Sequence, residues 1–114
     1  MEDCLFCKII KGEIPSTKVF ENENVFAFKD INPLAKGHIL FIHKNHSHDV
    51  VEMTQKNPED VAEVFRAIGE FALDQNIKED GFRVVTNIGK HGGQTVFHTH
   101  FHVLFGEQLK GFGA

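Results

Sequence analysis

The chain has no tryptophan and no tyrosine, and its 114 residues include only three prolines and two cysteines. So little proline, with no biased tract, excludes collagen-like and low-complexity polymers. Two cysteines cannot staple a disulfide mini-protein, and a chain this long buries roughly 65% of its unfolded surface without such help. One domain spanning residues 1–114 is expected. Positive charge is also short: 12 Lys and Arg stand against 16 Asp and Glu, a net charge of −4. No broad basic field exists to gather phosphate backbones, so a general nucleic-acid binder is excluded. No apolar run approaches the roughly 18 residues of a membrane span, and no membrane partner is expected. The opening MEDCLFCKIIKGE is charged rather than signal-like, which gives a cytoplasmic expectation.

What the chain does have is 12 phenylalanines and eight histidines. Phenylalanine is ordinary core material. Imidazole is a base, acid, nucleophile or metal ligand near neutral pH, so the histidines are where chemistry should be sought. Both cysteines sit in one C-x-x-C, Cys4 and Cys7. In a reducing compartment that spacing reads as a metal or redox element before a disulfide. The redox form follows a strand in a βαβ pattern, which the residues before Cys4 do not offer, so metal is expected.

The pattern along the chain predicts a short helix over Cys4 to Lys11, ended by Gly12, from apolar residues at helical spacing. Thr17 to Glu21 and Val25 to Lys29 read as a hairpin joined by Glu21-Asn22-Glu23-Asn24. A loop from Asp30 to Gly37 leads into a buried strand, His38 to His43. Asn57-Pro58-Glu59-Asp60 combines a capping residue, a proline at the first helical position and two acids at the positive end of the dipole. The helix it starts should run to about Gln75, with Val61, Val64, Phe65, Ile68, Phe71 and Ala72 forming one stripe for a sheet. Phe82 to Ile88 and Val96 to Phe105 read as strands around a Gly-rich loop, and residues 106–114 as loop. One long helix, one short helix and about five strands predict an α+β domain with a mainly antiparallel sheet.

Along Val96 to Leu104, His98, His100 and His102 alternate with Phe97, Thr99, Phe101 and Val103. A strand would put all three imidazoles on one face, roughly 7 Å apart, as the floor of a cleft, with the apolar face docked on the helix. Alternate histidines on a strand can also share one ion, so a catalytic metal site is a rival reading. In the loop Gly89-Lys90-His91-Gly92-Gly93-Gln94-Thr95, small residues such as Gly93 let backbone N–H groups approach a phosphate. Gln94 and Thr95 offer side-chain donors beside them.

The segments FCKIIKGEIPS, FKDINPLAKGHIL and TNIGKHGGQTVFHTHFHVLFG together resemble the histidine triad (HIT) family, in the order and spacing of its Hint branch. That resemblance implies a HIT-like fold and hydrolysis of purine nucleoside phosphoramidates, or adenylated amines, through a covalent nucleotidyl-histidine. It makes His100 the nucleophile toward the α-phosphorus, His102 the residue that orients around the phosphate, and His98 a support for the array. A carbonyl contact to the far nitrogen of the nucleophile is expected, with Gly89, Lys90, His91 and Gly92 as candidates. Thr95 takes the place of the hydroxyl, usually serine, that protonates the leaving group. Asp30 matches the ribose-binding acid, Phe28 and Ile31 the residues around the base, Asn87 the amide near the scissile bond, and His38 a histidine near the nucleotide pocket.

The same resemblance implies a structural zinc held by Cys4, Cys7, His46 and His98, with His43 and His48 as rivals for His46. No cofactor is required for the chemistry itself. It further implies a homodimer joined edge to edge. The competing functions are hydrolysis of dinucleoside polyphosphates and a non-catalytic nucleotide-binding module.

Overall fold

In a computed structural model, which describes residues 3–112, the chain folds in the order α1 (Leu5–Ile10), β1 (Lys18–Glu21), β2 (Val25–Lys29), β3 (Gly37–His43), α2 (Val50–Lys56), α3 (Pro58–Asp74), β4 (Arg83–Val85) and β5 (His100–Phe105). The strands form one sheet in the order β1-β2-β3-β5-β4, and every neighbouring pair is antiparallel. This is the expected α+β architecture, with a third helix added. Among the described residues no helix is long and apolar enough to cross a membrane.

Strand alternation gives the sheet two apolar faces. Ile39 and Phe41 of β3, with Phe101 and Val103 of β5, pack in one core with Met53 of α2 and Val64, Ala67, Ile68 and Phe71 of α3. Leu40 and Ile42 point the other way and join Phe26, Phe28 and the α1 residues Phe6 and Ile9 in a second, smaller cluster. Burying a side chain such as Phe41, which is 0% exposed, contributes about 1.5–3 kcal/mol. The even positions of β5, His100 and His102, pair with Ile42 and Leu40 and so belong to the α1 face.

Four local outcomes differ from the sequence reading. The helix α2 was not anticipated, although its start is written in the residues: the Asp49 side chain accepts from the Glu52 N–H, and Glu52 reaches back to accept from the His48 N–H. The two bonds make a variant of a capping box in which Glu52 bonds the residue before the cap. Asn57 makes no side-chain cap bond to α3; it also closes α2 as its C-cap, with its N–H donated to the Met53 carbonyl. The final strand begins at His100 rather than Val96, and β4 keeps only Arg83–Val85 of the expected Phe82–Ile88. β3 offers no partner beyond Ile42 opposite His100, so residues 96–99 turn away and bond elsewhere: the Thr99 N–H donates to the Ser47 carbonyl, and the Gln94 amide donates to the carbonyl of Val96.

Candidate functional site: an imidazole row beside a thiol–imidazole cluster

The shortened strand changes the histidine row. His100 and His102 share one face of β5 with ring centroids 5.0 Å apart. His98 lies in the bend before the strand, its ring 1% exposed and turned toward the cysteines, with Nδ1 3.3 Å from Cys4 Sγ. The three rings are therefore not a uniform strand face. Phe97, expected on the apolar side, is instead exposed and stacked on His48 at 4.7 Å. Phe6 of α1 stands edge-on to both His98 and His100, closing the apolar side of the site.

Hydrogen bonds locate the protons. His100 Nδ1 donates to the backbone carbonyl of His98 at 2.8 Å; a carbonyl only accepts, so Nε2 of His100 carries a lone pair. The tautomer-setting carbonyl is thus that of His98, and not one of Gly89, Lys90, His91 or Gly92. On His38, Nδ1 accepts from the Leu34 N–H at 3.0 Å, so Nε2 holds the proton. That proton faces His102 Nδ1 at 2.8 Å, with Asp30 Oδ2 at 3.4 Å. His102 accepts at Nδ1 and is left with a donor at Nε2. Burial keeps all three rings below their ordinary pKa of 6.5. For His102 burial is the largest cause, reinforced by His100 and His38, and pushes it down to about 4.

The other expected site residues fall around this row in different ways. Asp30 follows β2 and is tied to the Asn32 N–H through Oδ1, while Phe28 is buried against Phe6 at 5.4 Å. Ile31 is 92% exposed, an apolar side chain with nothing over it. Asn87 is half-buried and Thr95 exposed. Gly93 adopts φ +81°, and a Cβ on its neighbour Gly92 would collide with the Ile88 carbonyl, so the loop needs both glycines. Gln94 is buried and fully used: its Oε1 accepts from the Gly89 N–H, and its amide donates to the carbonyls of His48 and Val96. It braces the loop and has no donor to spare.

Cys4, Cys7, His46 and His98 come together from the N-cap and first turn of α1, the β3–α2 connection and the bend. His46 Nδ1 is 3.6 Å from Cys7 Sγ and 3.1 Å from His98 Nδ1, which is 3.6 Å from Cys7 Sγ. A tetrahedral zinc with Zn–S about 2.3 Å and Zn–N about 2.0 Å separates its ligands by ~3.5 Å for S to N and ~3.3 Å for N to N. The residues fit the ion. The rivals lie elsewhere: His48 stacks on Phe97, and His43 Nε2 faces Glu63 at 2.9 Å and Asp60 at 3.4 Å.

Two further clusters, Asp30/His38/His102 and His43/Asp60/Glu63, also bring ligand-type atoms together. In each, the histidine nitrogen facing the acids carries the proton, because the other nitrogen accepts a backbone N–H, from Leu34 or Asn45. In the thiol cluster, His98 presents a bare Nδ1, since its Nε2 proton is donated to the His43 carbonyl at 2.9 Å. Burial first, then Cys4, raises the Cys7 thiol pKa to about 11.

Two contributors went unnoticed in the sequence. Ser47 Oγ and Thr99 Oγ1 form a buried hydroxyl pair at 2.6 Å, and Asp60 is buried on α3, bonded by Asn45. A hydroxyl at an otherwise apolar alternating position, Thr99, was the available signal for the first. A surface cavity lined by Cys4, His46, Thr95 and Phe97 opens beside the thiols.

Comparison with known proteins points one way. Residues 11–109 match the HIT domain. The chain is 37% identical over 108 residues to a purine nucleoside phosphoramidase of Escherichia coli K12, covering 95% of this chain and 91% of that protein. Among solved structures it is similar to a histidine triad protein from Clostridium difficile, with a TM-score of 0.95, 42% identity and coverage of 99% and 98%. It is also similar to a HIT family hydrolase from Clostridium thermocellum, with a TM-score of 0.92, 45% identity and coverage of 98% and 97%.

Proposed function

The chain belongs to the histidine triad family, and from that premise we propose that it is a hydrolase of the Hint type that cleaves purine nucleoside phosphoramidates at the α-phosphorus through a nucleotidyl-His100 intermediate. The observation that carries this reading is the His100 Nδ1–H to His98 carbonyl bond at 2.8 Å, which leaves Nε2 free to attack. The similarity to an enzyme named purine nucleoside phosphoramidase supports the substrate class.

In the proposed reaction, His100 Nε2 forms a bond to phosphorus while the phosphorus–nitrogen bond to the amine breaks. The leaving amine takes a proton from the Thr95 hydroxyl. Water then attacks phosphorus, gives up a proton that restores the Thr95 hydroxyl, the bond to Nε2 breaks and the nucleotide departs with free His100. Covalent catalysis divides one difficult displacement into two, and imidazole is both a good attacker and a good leaving group. The Nε2 proton of His102, directed by His38, is placed to bond a phosphoryl oxygen as charge builds. Asp30 accepts from the ribose hydroxyls, Phe28 and Ile31 flank the base, and Asn87 and the Gly93 backbone contact the phosphate side. Gln94 acts by holding the loop.

Zinc completes the reading as a structural ion on Cys4, Cys7, His46 and His98. When bound it cross-links α1 to the sheet and supplies no open coordination position for a substrate. Two copies would join edge to edge, through one of the two outer strands, β1 or β4. Incubation with an adenosine phosphoramidate followed by rapid quench into alkaline denaturant, in which a phosphorus–nitrogen bond to imidazole survives, tests the whole: a nucleotidyl-protein mapped to His100 is expected. Hydrolysis of a dinucleoside polyphosphate in preference to the phosphoramidate would favour the competing substrate class, and tight mononucleotide binding with no adduct would favour a non-catalytic module.

A further inference from the structure

One residue stands in both constellations. The His98 ring reaches the thiol–imidazole cluster through Nδ1, 3.3 Å from Cys4 Sγ, 3.6 Å from Cys7 Sγ and 3.1 Å from His46 Nδ1. Its backbone carbonyl receives the His100 Nδ1 proton at 2.8 Å. The peptide that carries this carbonyl lies outside the β3–β5 ladder, whose last pair is Ile42 with His100. Its one backbone tether is the Thr99 N–H to Ser47 carbonyl bond at 2.8 Å, and Ser47 itself follows the cluster residue His46. Apart from the His98 Nε2–H bond to the His43 carbonyl at 2.9 Å, the attachments of this peptide lead back to the same four side chains.

We propose that the Cys4–Cys7–His46–His98 centre is a positioning device for catalysis: when a metal gathers these four side chains, the His98 carbonyl is held where it fixes the His100 tautomer, and when the centre is open that hold is lost. This rests on the proposed role of His100. The physical reason is that neutral imidazole exchanges its proton between two nitrogens, and the nitrogen that is hydrogen-bonded decides which one is left to react. A nucleophile whose orienting acceptor is misplaced presents N–H where a lone pair is required, a defect in chemistry rather than in binding. Cys4 and Cys7 need not touch the substrate for this to operate. They act through the shared ion on His98, with effects of about 10- to 100-fold, the size seen when a group that orients a site ligand is lost.

The experiment uses the full chain, stripped with a chelator and reloaded with Zn²⁺, together with Cys7→Ser and a control, Val64→Ala, which weakens the core away from the site. Three quantities are read: the ¹⁵N signature of the His100 ring, the single-turnover rate of nucleotidyl-protein formation, and the affinity for a mononucleotide. In zinc-loaded protein the ring should be a single Nδ1–H tautomer. Stripped protein and Cys7→Ser should show mixed tautomers and adduct formation about 10- to 100-fold slower, with mononucleotide affinity changed less than about twofold. Val64→Ala should keep the tautomer. An unchanged tautomer in folded, stripped protein overturns the proposal, as does an equal loss in Val64→Ala. If zinc-loaded protein forms no adduct at all, the enzymatic reading fails, while the tautomer still reports whether the centre and His100 are coupled. Because stripping needs no substitution, the test stands even if Cys7→Ser does not fold.

Discussion

His38 donates its Nε2 proton to Nδ1 of His102 across 2.8 Å, and the Leu34 N–H on the far side of the His38 ring fixes that direction. The pair forms a chain of neutral imidazoles running from a loop amide to the row of β5. Neutrality is what aims the His102 donor outward. A proton added to His102 Nδ1 would set two N–H groups against each other.

This pair makes stability depend on pH in a defined window. His102 is pushed down to about 4 in the folded chain from an ordinary 6.5. Between those values the unfolded chain binds a proton that the folded chain refuses, so stability falls as pH drops from 6.5 toward 4 and the effect levels off below. In urea unfolding, His102→Asn should lose less stability than the unsubstituted protein between pH 7 and pH 4.5. Equal losses would show that His102 does not contribute to the acid sensitivity.

Replacing His100 removes the attacking atom. His100→Ala should lower phosphoramidate turnover by about a thousandfold or more, with the helical and sheet signature in circular dichroism retained and no nucleotidyl-protein trapped. Turnover near the unsubstituted rate would end its assignment as nucleophile.

Asp30 should act on binding more than on chemistry. Hydrogen bonds to a charged group contribute about 1.5–3 kcal/mol, so Asp30→Ala should raise KM about 10- to 100-fold while kcat changes less. A substrate lacking both ribose hydroxyls should show the same penalty with unsubstituted protein and little further penalty with the variant. Additive losses would place the ribose elsewhere.

Metal analysis should find one zinc per chain, and chelation should lower Tm by about 10 °C, since an ion that binds only the folded state stabilises it by mass action. Cys7→Ser should reproduce that shift without chelator. A catalytic ion predicts the opposite order, with activity abolished at unchanged Tm.

The Ser47–Thr99 hydroxyl pair offers a double-mutant test. Ser47→Ala should cost about 1 kcal/mol, since the Thr99 hydroxyl keeps the Ser47 carbonyl at 3.2 Å as a partner. Adding Thr99→Val, which removes the remaining hydroxyl with its shape kept, should cost less in the Ser47→Ala background than alone. Strict additivity would mean the two hydroxyls do not sense one another.

Much of this was legible in the residues because it is local. The α3 stripe of Val64, Ile68 and Phe71 follows helical spacing, the β2 and β3 boundaries follow apolar runs, and the Cys4–Cys7 spacing is a ligand signature within one turn. What escaped was set by contacts far apart in sequence. Strand alternation from Val96 to Phe105 extends four residues beyond the real strand, because only β3, some 60 residues earlier, decides where pairing stops. His43, His46 and His48 look alike in the sequence; the turn after β3 sends one to Glu63 and Asp60, one to the thiols and one against Phe97.

By itself, then, the order of residues determined the element types, the two-faced sheet and the supply of imidazoles and thiols, all consequences of side-chain periodicity and chemistry within a few residues. Tertiary structure alone decided which nitrogen of His98 and of His102 bears a proton and which rings share a partner. A tautomer is chosen by the donor or acceptor that meets the ring in space, and for His98 and His102 that partner, the His43 carbonyl or the His38 ring, comes from another segment of the chain.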